Sequence, residues 1–317
     1  KLAYYLAIFA MVFGSTFGTI NSAYAETVTL SADSTQLDVA NGDDVIMADN
    51  ALTILSTTSL LPYLTLGDIT ATTGNLTFNT TATASATSMT VSSITASSTS
   101  DVLVAIAGTS DKAQTVTVTG NLITGGTLKV TGDAGDAVAS TLNVGGNLTA
   151  GATTLTPGAG SAIITLNGSS AQSVTAIING NDDNKGILNA SNTSGGVTFN
   201  SAIGTTKTLS AINVTTGTAT FDGAIGAVAS TITGTATFGA ATAIPTVTIA
   251  AAGTTTLTGV LTATTEAAIN GILNIDVKNQ AITEINLNNG GTLVVGKAIV
   301  NGNTINTGAT QTKAGFN

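Results

Sequence analysis

The chain lacks the residue types on which most active sites and nucleic-acid interfaces depend. Its 317 residues include no Cys, His, Trp or Arg, and all eight basic residues are Lys. Without Cys there are no disulfides and no thiolate chemistry. Without His, Ser-His-Asp catalysis is excluded, apart from rare Ser-Lys arrangements. The Lys residues are scattered singly from Lys1 to Lys313, so no basic cluster could contact phosphates and we expect no nucleic-acid partner.

Charged and aromatic side chains are also scarce. Only 8% of residues are charged and 4% are aromatic, whereas roughly 25% are charged in a typical soluble domain. Hydrophobic residues make up 43%, and the mean hydropathy is +0.41. The net charge is −9. This balance favours a thin, repetitive core of stacked aliphatic side chains, covered by Thr, Ser, Asn and Gly instead of ions.

A repeat of about twenty residues is the most informative feature that the sequence does contain. Segments beginning at Gly195, Gly217, Gly234 and Gly253 read GGVTFNSAIG, GTATFDGAIG, GTATFGAAT and GTTTLTGVL. Each has a glycine, a short strand that alternates Thr with apolar residues, and small turn residues. A period near twenty residues is typical of one rung of a β-solenoid, in which each rung buries its apolar side chains against its neighbours.

The sequence therefore predicts an all-β fold, a right-handed parallel β-helix with rungs of roughly 17–25 residues and a rod length of roughly 60–90 Å. In the copy that starts at Gly217, Ala219 and Phe221 share the inward side of the strand, and the threonines point outward as ladders. The expected inner column contains Phe199, Phe221, Phe238 and Leu257. β-Sandwich modules, which would recur near every 90–100 residues, are the alternative.

Two weaker patterns also carry expectations. GNLTF (74–78), GNLIT (120–124) and GNLTA (146–150) begin 46 and 26 residues apart, which predicts separations of two rungs and then one. Helical periodicity is nearly absent, and Glu266–Ile269 is the segment where we expect a short helical turn.

The chain starts with the layout of a signal peptide. An apolar run from Leu2 to about Phe17 follows Lys1, and Ala23-Tyr24-Ala25 provides an A-x-A cleavage site. The run is too short and too interrupted for a membrane anchor, so we expect export and no transmembrane helix after cleavage. The predicted organisation is a signal peptide (1–25), an N-terminal cap with degenerate repeats (26–110), solenoid repeats (111–300) and a polar tail (301–317) of a truncated chain.

The repeat sequences resemble a known class of surface protein. GTATFDGAIG, GGVTFNSAIG, GNLTF and QSVTAIINGNDDNKGILN (172–189) are similar to repeat regions of bacterial autotransporter passenger domains. They resemble most the large rickettsial outer-membrane and S-layer-like surface proteins and related β-strand-repeat proteins, over about residues 110–300. The resemblance implies a right-handed β-helix displayed on the cell before a C-terminal outer-membrane β-barrel, and it brings no catalytic residues with it. The aromatic-girdled strands of such a barrel do not occur in this sequence.

We therefore expect an exported structural protein without catalytic activity at the bacterial cell surface, in the outer membrane or outside the cell. Its expected partners are the cell envelope or other copies of itself. An adhesin that binds host or glycan ligands is the first alternative, although the scarcity of aromatic residues is unusual for a sugar site. A polysaccharide-active β-helix enzyme is the second alternative.

Acidic turns are the only candidates for chemistry. Lys185 near Asp182 and Asp183 is the only grouping that resembles a lyase site, in which a basic residue lies beside calcium-binding carboxylates. Calcium ligands are the other interpretation, with Asp182, Asp183, Asp133 and Asp136 as candidates, although the EF-hand and nonapeptide calcium motifs are not matched. We interpret both turns as solvated, with no catalytic residue and no cofactor, and leave calcium open.

Overall fold

A computed structural model of the chain describes residues 27–30, 34–35, 44–47, 52–56, 63–72, 74–80, 87–106, 113–133, 135, 137–263, 265–276, 281–288, 290–295 and 304–307. These residues form strands and their connections, with no helix among them, and their strands join in one sheet whose recorded pairings are all parallel. Within this part of the chain, no helix could cross a membrane. The predicted β-solenoid is confirmed, and the sandwich alternative is wrong. The right-handed coil stays a prediction, and the predicted signal peptide lies outside the described residues.

The strands are short, as expected for a coil that turns several times per rung. They are β1 (Thr27–Leu30), β2 (Ser34–Thr35), β3 (Asp44–Met47), β4 (Leu52–Ser56), β5 (Tyr63–Ala71), β6 (Leu76–Thr80), β7 (Thr87–Ala96), β8 (Val102–Ile106), β9 (Gln114–Val118), β10 (Leu122–Thr131), β11 (Ser140–Val144), β12 (Leu148–Thr156), β13 (Ala162–Leu166), β14 (Gln172–Thr175), β15 (Ile178–Gly180), β16 (Ile187–Ala190), β17 (Val197–Phe199), β18 (Leu209–Val214), β19 (Thr218–Phe221), β20 (Ile225–Ile232), β21 (Thr235–Phe238), β22 (Thr242–Ala243), β23 (Thr246–Ile249), β24 (Thr254–Leu257), β25 (Leu261–Ala263), β26 (Glu266–Ile269), β27 (Ile272–Ile275), β28 (Ala281–Ile282), β29 (Glu284–Leu287), β30 (Thr292–Val295) and β31 (Thr304–Thr307).

The pairing sorts these strands onto three faces. On the first face, β9, β11, β13, β16, β18, the C-terminal half of β20, β23 and β26 pair in that order. The second face contains the N-terminal halves of β10 and β12, followed by β14, β17, β19, β21, β24 and β27. The third face contains β6, β8, the C-terminal halves of β10 and β12, and β15, and bridges at Ile203 continue it to the N-terminal half of β20 and then to β22. Successive rungs therefore repeat the same three-sided path.

The core consists of columns of residues in register along the axis. On the second face, backbone register joins Val28, Val45, Ile69, Ile94, Leu122, Leu148, Val174, Phe199, Phe221, Phe238, Leu257, Ile275 and Val295 in one line along the axis, and the core column extends from Ile69 to Ile275. The members of this column are at most 2% exposed. At about 4.8 Å per rung, the whole line from Val28 to Val295 is about 58 Å long, at the lower limit of the predicted length.

The predicted phenylalanine column is confirmed. The Phe199 and Phe221 rings stack with centroids 4.7 Å apart and planes 3° from parallel. The Phe221 and Phe238 rings stack at 5.0 Å and 9°, and Leu257 pairs with Phe238 in the next rung. Parallel register in a solenoid places identical residues directly above one another, which is why the rings stack face to face.

The predicted outer threonine ladders are confirmed as well, since Thr218 pairs with Thr235 and Thr220 with Thr237, with all four exposed or half-exposed. Asparagines form a further ladder. On the first face the Asn213 side-chain amide donates to Oδ1 of Asn189 at 3.0 Å, and Oδ1 of Asn213 accepts from the Thr231 backbone N–H at 3.2 Å. Such ladders connect rungs through side chains in addition to the backbone hydrogen bonds.

A buried polar network fixes the corner between the first and second faces. The Asn192 side chain is fully buried, and its Oδ1 accepts from the N–H groups of Ser194, Gly195 and Gly196 at 2.8–3.1 Å. Its amide donates to the Ser170 carbonyl at 2.6 Å and to Oε1 of Gln172 at 2.9 Å. One asparagine thus satisfies the loop backbone and links it to the preceding rung.

The expected helical turn at Glu266–Ile269 is wrong. This segment is β26, which pairs in parallel with β23 and β29. Ala267 and Ile269 are buried, whereas Glu266 and Ala268 are partly exposed. The period of two that continues from the preceding rungs therefore overrides the weak helical propensity of EAAI.

The expected spacing of the GNL segments is half wrong. Leu122 and Leu148 pair one rung apart on the second face, as expected. Leu76 lies on the third face, where it pairs with Val102. Asn75 and Asn121 nevertheless act alike, since Oδ1 of each accepts a backbone N–H one rung later, from Asp101 at 3.0 Å and from Asn147 at 2.8 Å. The same Gly-Asn-Leu sequence begins strands at two different corners, because at both corners an asparagine side chain accepts a hydrogen bond from a backbone N–H of the next rung.

Rung length varies along the chain: Thr27 pairs with Asp44, 17 residues later, after which the rungs lengthen and then shorten again. Contacts between adjacent rungs span 26 residues from Thr117 to Asn143, slightly more than predicted, and 18 residues from Asn213 to Thr231. In the long rungs, loops at 157–161, 181–186 and 204–208 join the third face to the first. In the short rungs, β20 passes from one face to the other without a loop. Pairings of β7 with β9 and of β8 with β10 cross residue 110, and the division placed there stays a prediction.

Candidate functional site

The corner between the third and first faces carries Asp133 in one loop and Asp182 and Asp183 in another. We call the segments 132–133, 135, 137–139, 157–161, 181–186 and 204–208 the corner loops. The Gly160 N–H donates to the Asp133 carbonyl at 3.0 Å, and the Lys185 N–H donates to the Thr208 carbonyl at 3.1 Å. Successive rungs thus stack their loops at one corner, and residues distant in sequence become neighbours there.

Left-handed backbone conformations shape the loop that carries Asp182 and Asp183. Asn184 has φ 64° and is the one non-glycine residue with positive φ in the described part of the chain; Gly186 has φ 82°. Asn tolerates this region because its short polar side chain bonds locally. The Thr208 hydroxyl accepts from the Asn184 N–H at 3.0 Å and donates to Oδ1 of Asn184 at 3.0 Å.

Both carboxylates of this loop face Lys207 of the next rung. Its Nζ lies 3.0 Å from Oδ1 of Asp182 and 3.5 Å from Oδ2 of Asp183. Oδ1 of Asp182 also accepts from the Asp183 N–H at 2.9 Å, and Oδ1 of Asp183 accepts from the Thr208 N–H at 3.2 Å. The acidic pair therefore serves as the partner of one lysine and of loop N–H groups.

Protonation follows from these contacts. The hydrogen bond from Lys207, helped by the Asp183 N–H, lowers the pKa of Asp182. The hydrogen bond to Asp182 and the charges of both aspartates raise the pKa of Lys207. Asp182 is thus ionised and Lys207 protonated at neutral pH. A general acid or base needs a pKa moved toward neutrality, whereas both pKa values here move away from it. Both groups are exposed, so the pairing stabilises the fold only weakly.

Lys185, the cation of the lyase-like grouping, lines a cleft that has no carboxylate in its wall. The cleft is polar, has a volume of about 180 Å³ and is also lined by Asn184, Ser210 and the 157–161 loop. The charge of Lys185 also contributes to lowering the pKa of Asp182, and the lyase-like grouping of Lys185 with two carboxylates stays a prediction. The cation that contacts Asp182 and Asp183 is Lys207, which sequence spacing could not indicate because it lies one rung away.

The calcium candidates are divided among separate loops. Asp133 is buried, and its Oδ1 accepts from the Gly135 N–H at 2.6 Å, forming a tight turn. Asp136 lies outside the described residues. Across the described residues, no three Asp, Glu, His or Cys side chains form a group that could hold a metal. Calcium binding stays a prediction.

Another surface lies on the second face of the short rungs. The sequence predicted its rows of threonine side chains but did not identify them as a candidate site. We call this surface the threonine array. It contains Thr198, Thr218, Thr220, Thr235, Thr237, Thr254 and Thr256. Pairings in register join β17, β19, β21 and β24, so that the threonines form two parallel rows along the axis. All of them are exposed or half-exposed. The sequence signal is the pair of threonines two residues apart in TAT, TAT and TTT.

Comparison with known proteins assigns no family to this geometry. The chain matches no protein-family model, no curated protein and no solved structure.

Proposed function

We propose that the chain is an exported structural protein of the bacterial cell surface, a solenoid like an autotransporter passenger or an S-layer component, without catalytic activity. The observation that supports this is the continuity of its parallel pairing from β1 to β31. A coil of this kind has contacts only between neighbouring rungs and extends in one direction. That geometry suits a stalk or coat and offers few deep enclosures for a substrate.

The surface chemistry supports the same role. The chain has 8% charged residues and a net charge of −9, so sparse negative charge keeps rods from clumping without strong attraction to nucleic acid or anionic lipid. Thr and Asn ladders cover the outside and join adjacent rungs. The expected partners are the cell envelope or further copies of the chain.

The state of the carboxylates supports the absence of catalysis. Asp182 and Asp183 are bound by Lys207, and the pKa of Asp182 is lowered. A proton-transfer group for polysaccharide cleavage would need a pKa moved toward neutrality. We therefore assign the ion pair to fastening two corner loops together.

Surface display tests this proposal. An epitope inserted between Ala251 and Ala252, which are exposed in a turn, should be labelled by antibody on intact cells that produce the chain. The mature N-terminus should be Glu26, as N-terminal sequencing would establish. A matched variant with Ala23→Leu and Ala25→Leu should keep the leader and lose surface labelling. Labelling that requires cell lysis would contradict the proposal.

The adhesin alternative gives a different result in the same system. Cells that display the chain would then bind host cells or a glycan surface more than cells that lack it, whereas a purely structural coat would leave adhesion unchanged.

A further inference from the structure

We propose that the threonine array is an ice-binding surface, a regular lattice of hydroxyl and methyl groups that holds water in the arrangement of ice. This proposal concerns a ligand, and it does not depend on where the chain is located or on the structural role proposed above.

The spacing along the axis agrees with the lattice of ice. The rings beneath the array lie 4.7 and 5.0 Å apart from rung to rung, and the threonines above them share this register. Waters that hydrogen-bond tetrahedrally at about 2.8 Å have second neighbours about 4.5 Å apart. Adjacent threonines along one row are therefore separated by nearly one lattice repeat.

The spacing across the axis is close to that of ice, about 0.8 Å shorter than the lattice repeat. Thr235 and Thr237 lie on the same side of β21, two residues apart, which in a strand is about 6.6 Å. The perpendicular repeat of the same tetrahedral lattice is about 7.4 Å. Only three steps separate Thr198 from Thr256. The difference between the rung spacing and the ice spacing therefore adds up to about 1 Å along a row. The array thus matches ice in two directions over a limited area.

The side chains suit this ligand. A threonine hydroxyl both donates and accepts hydrogen bonds, and its branched Cβ restricts the rotamer, so the groups are held in place before water binds. The stacked Phe199, Phe221 and Phe238 support the array from inside. No charged side chain lies within the array, and Asp222 lies at its border.

The first face of the same rungs shows what the array adds. It has one comparable pair, Thr246 and Thr248 on β23. Their register partners in the adjacent strands are Ala229 and Thr231 on one side and Glu266 and Ala268 on the other. A charge and two alanines interrupt the hydroxyl pattern there, so this pair offers a matched control.

The test is inhibition of ice recrystallisation by the full chain at increasing concentrations. Thr237 lies in the middle of the array, and Thr237→Tyr places a ring above the plane while keeping high strand propensity. We expect it to raise the concentration needed for inhibition by about tenfold or more, since the ring separates its neighbours from ice. Thr248→Tyr, equally half-exposed on the first face, should leave that concentration unchanged.

Thermal unfolding of both variants verifies that the coil is intact. If Thr237→Tyr does not fold, Thr235→Lys serves instead, because it puts a charge into the array at an exposed position. Absence of inhibition by the parent chain would overturn the proposal, as would equal effects of the array and control variants. Retention of the parent on crystalline chitin or cellulose, without any effect on ice, would also overturn it and would identify a solid polysaccharide as the ligand.

Discussion

The long-rung and short-rung regions of the coil share two faces and differ in the third. Contacts between adjacent rungs span 26 residues near Asn147 and 18 near Asn213, yet the columns on the first and second faces continue through both. The difference lies in the third face, whose strands shorten from β8 (Val102–Ile106) to β22 (Thr242–Ala243), and in the corner loops, which β20 replaces.

A solenoid tolerates changes in length at its corners and not in its packed columns. Columns constrain each rung, because a residue there packs against the rungs on both sides. Corners can gain or lose loops without altering the register. The two candidate surfaces follow the same division: the ion pair of Lys207 lies in the loops of the long rungs, and the threonine array begins as those loops end.

The largest effect should come from the column in the short-rung region. Phe221→Ala removes a buried ring that stacks on two others, and we expect a loss of about 3–5 kcal/mol in the free energy of unfolding. Leu148→Ala tests the long rungs at an equally buried position, with an expected loss of about 2–5 kcal/mol. Urea unfolding measures both, and losses below about 1 kcal/mol would contradict a packed column.

Substitutions at two glycines with positive φ should distinguish a packed corner from an open one. An added Cβ at Gly186 (φ 82°) would overlap the Leu155 side chain, whereas one at Gly290 (φ 90°) would meet nothing within 4 Å. Gly186→Ala should therefore cost about 3 kcal/mol, strain and overlap together. Gly290→Ala should cost about 1 kcal/mol, from backbone strain alone. Equal melting temperatures for the two variants would contradict the difference in packing.

The asparagine network at the junction of the two regions should have an intermediate effect. Asn192→Ala removes three bonds to loop N–H groups and two donated by the amide, so we expect a loss of about 2 kcal/mol. Asn200→Ala is the control, because its exposed side chain donates at 2.8 Å to the Ser173 hydroxyl and exposed substitutions cost less than about 0.5 kcal/mol. Chemical denaturation that ranks them the other way would contradict the network.

The smallest effect should come from the corner ion pair. Lys207→Met removes the hydrogen bond that lowers the pKa of Asp182, so this pKa should rise toward its ordinary value in an NMR titration. A lowered pKa stabilises the fold above the unfolded-state pKa, and that contribution is lost as the pH falls through the folded-state value. The variant should therefore match the parent in strong acid and be slightly less stable near neutrality. An unchanged Asp182 titration would contradict the pairing.

The repeating strands could be predicted from the sequence because each repeat has the same alternation of threonine and apolar residues. Phe199, Phe221 and Phe238 occur at one position in three similar words, and stacking follows once parallel register is assumed. The sequence could not predict on which face a strand lies after a corner. Leu76 and Leu122 follow identical GN pairs and lie on different faces, and a corner cap does not encode which face follows.

The candidate site was harder to predict for the same reason. Asp182 and Lys207 are 25 residues apart, and only the loop lengths of that rung bring them together. The threonine pairs were visible, but their two-dimensional order depends on three rungs having the same register. Contacts along one strand can be inferred from the sequence, whereas contacts between rungs require the length of each loop.

Disulfide trapping tests the register most directly, because the chain has no native cysteine. Cysteines at Thr220 and Thr237 are register partners, with Cα atoms about 4.8 Å apart, within the range that a disulfide bridges. Cysteines at Thr220 and Thr256 lie two rungs apart, at about 9.6 Å, beyond that range. We predict that mild oxidation links the first pair within one chain and leaves the second pair free. Efficient linkage of the second pair, or none in the first, would contradict the solenoid register.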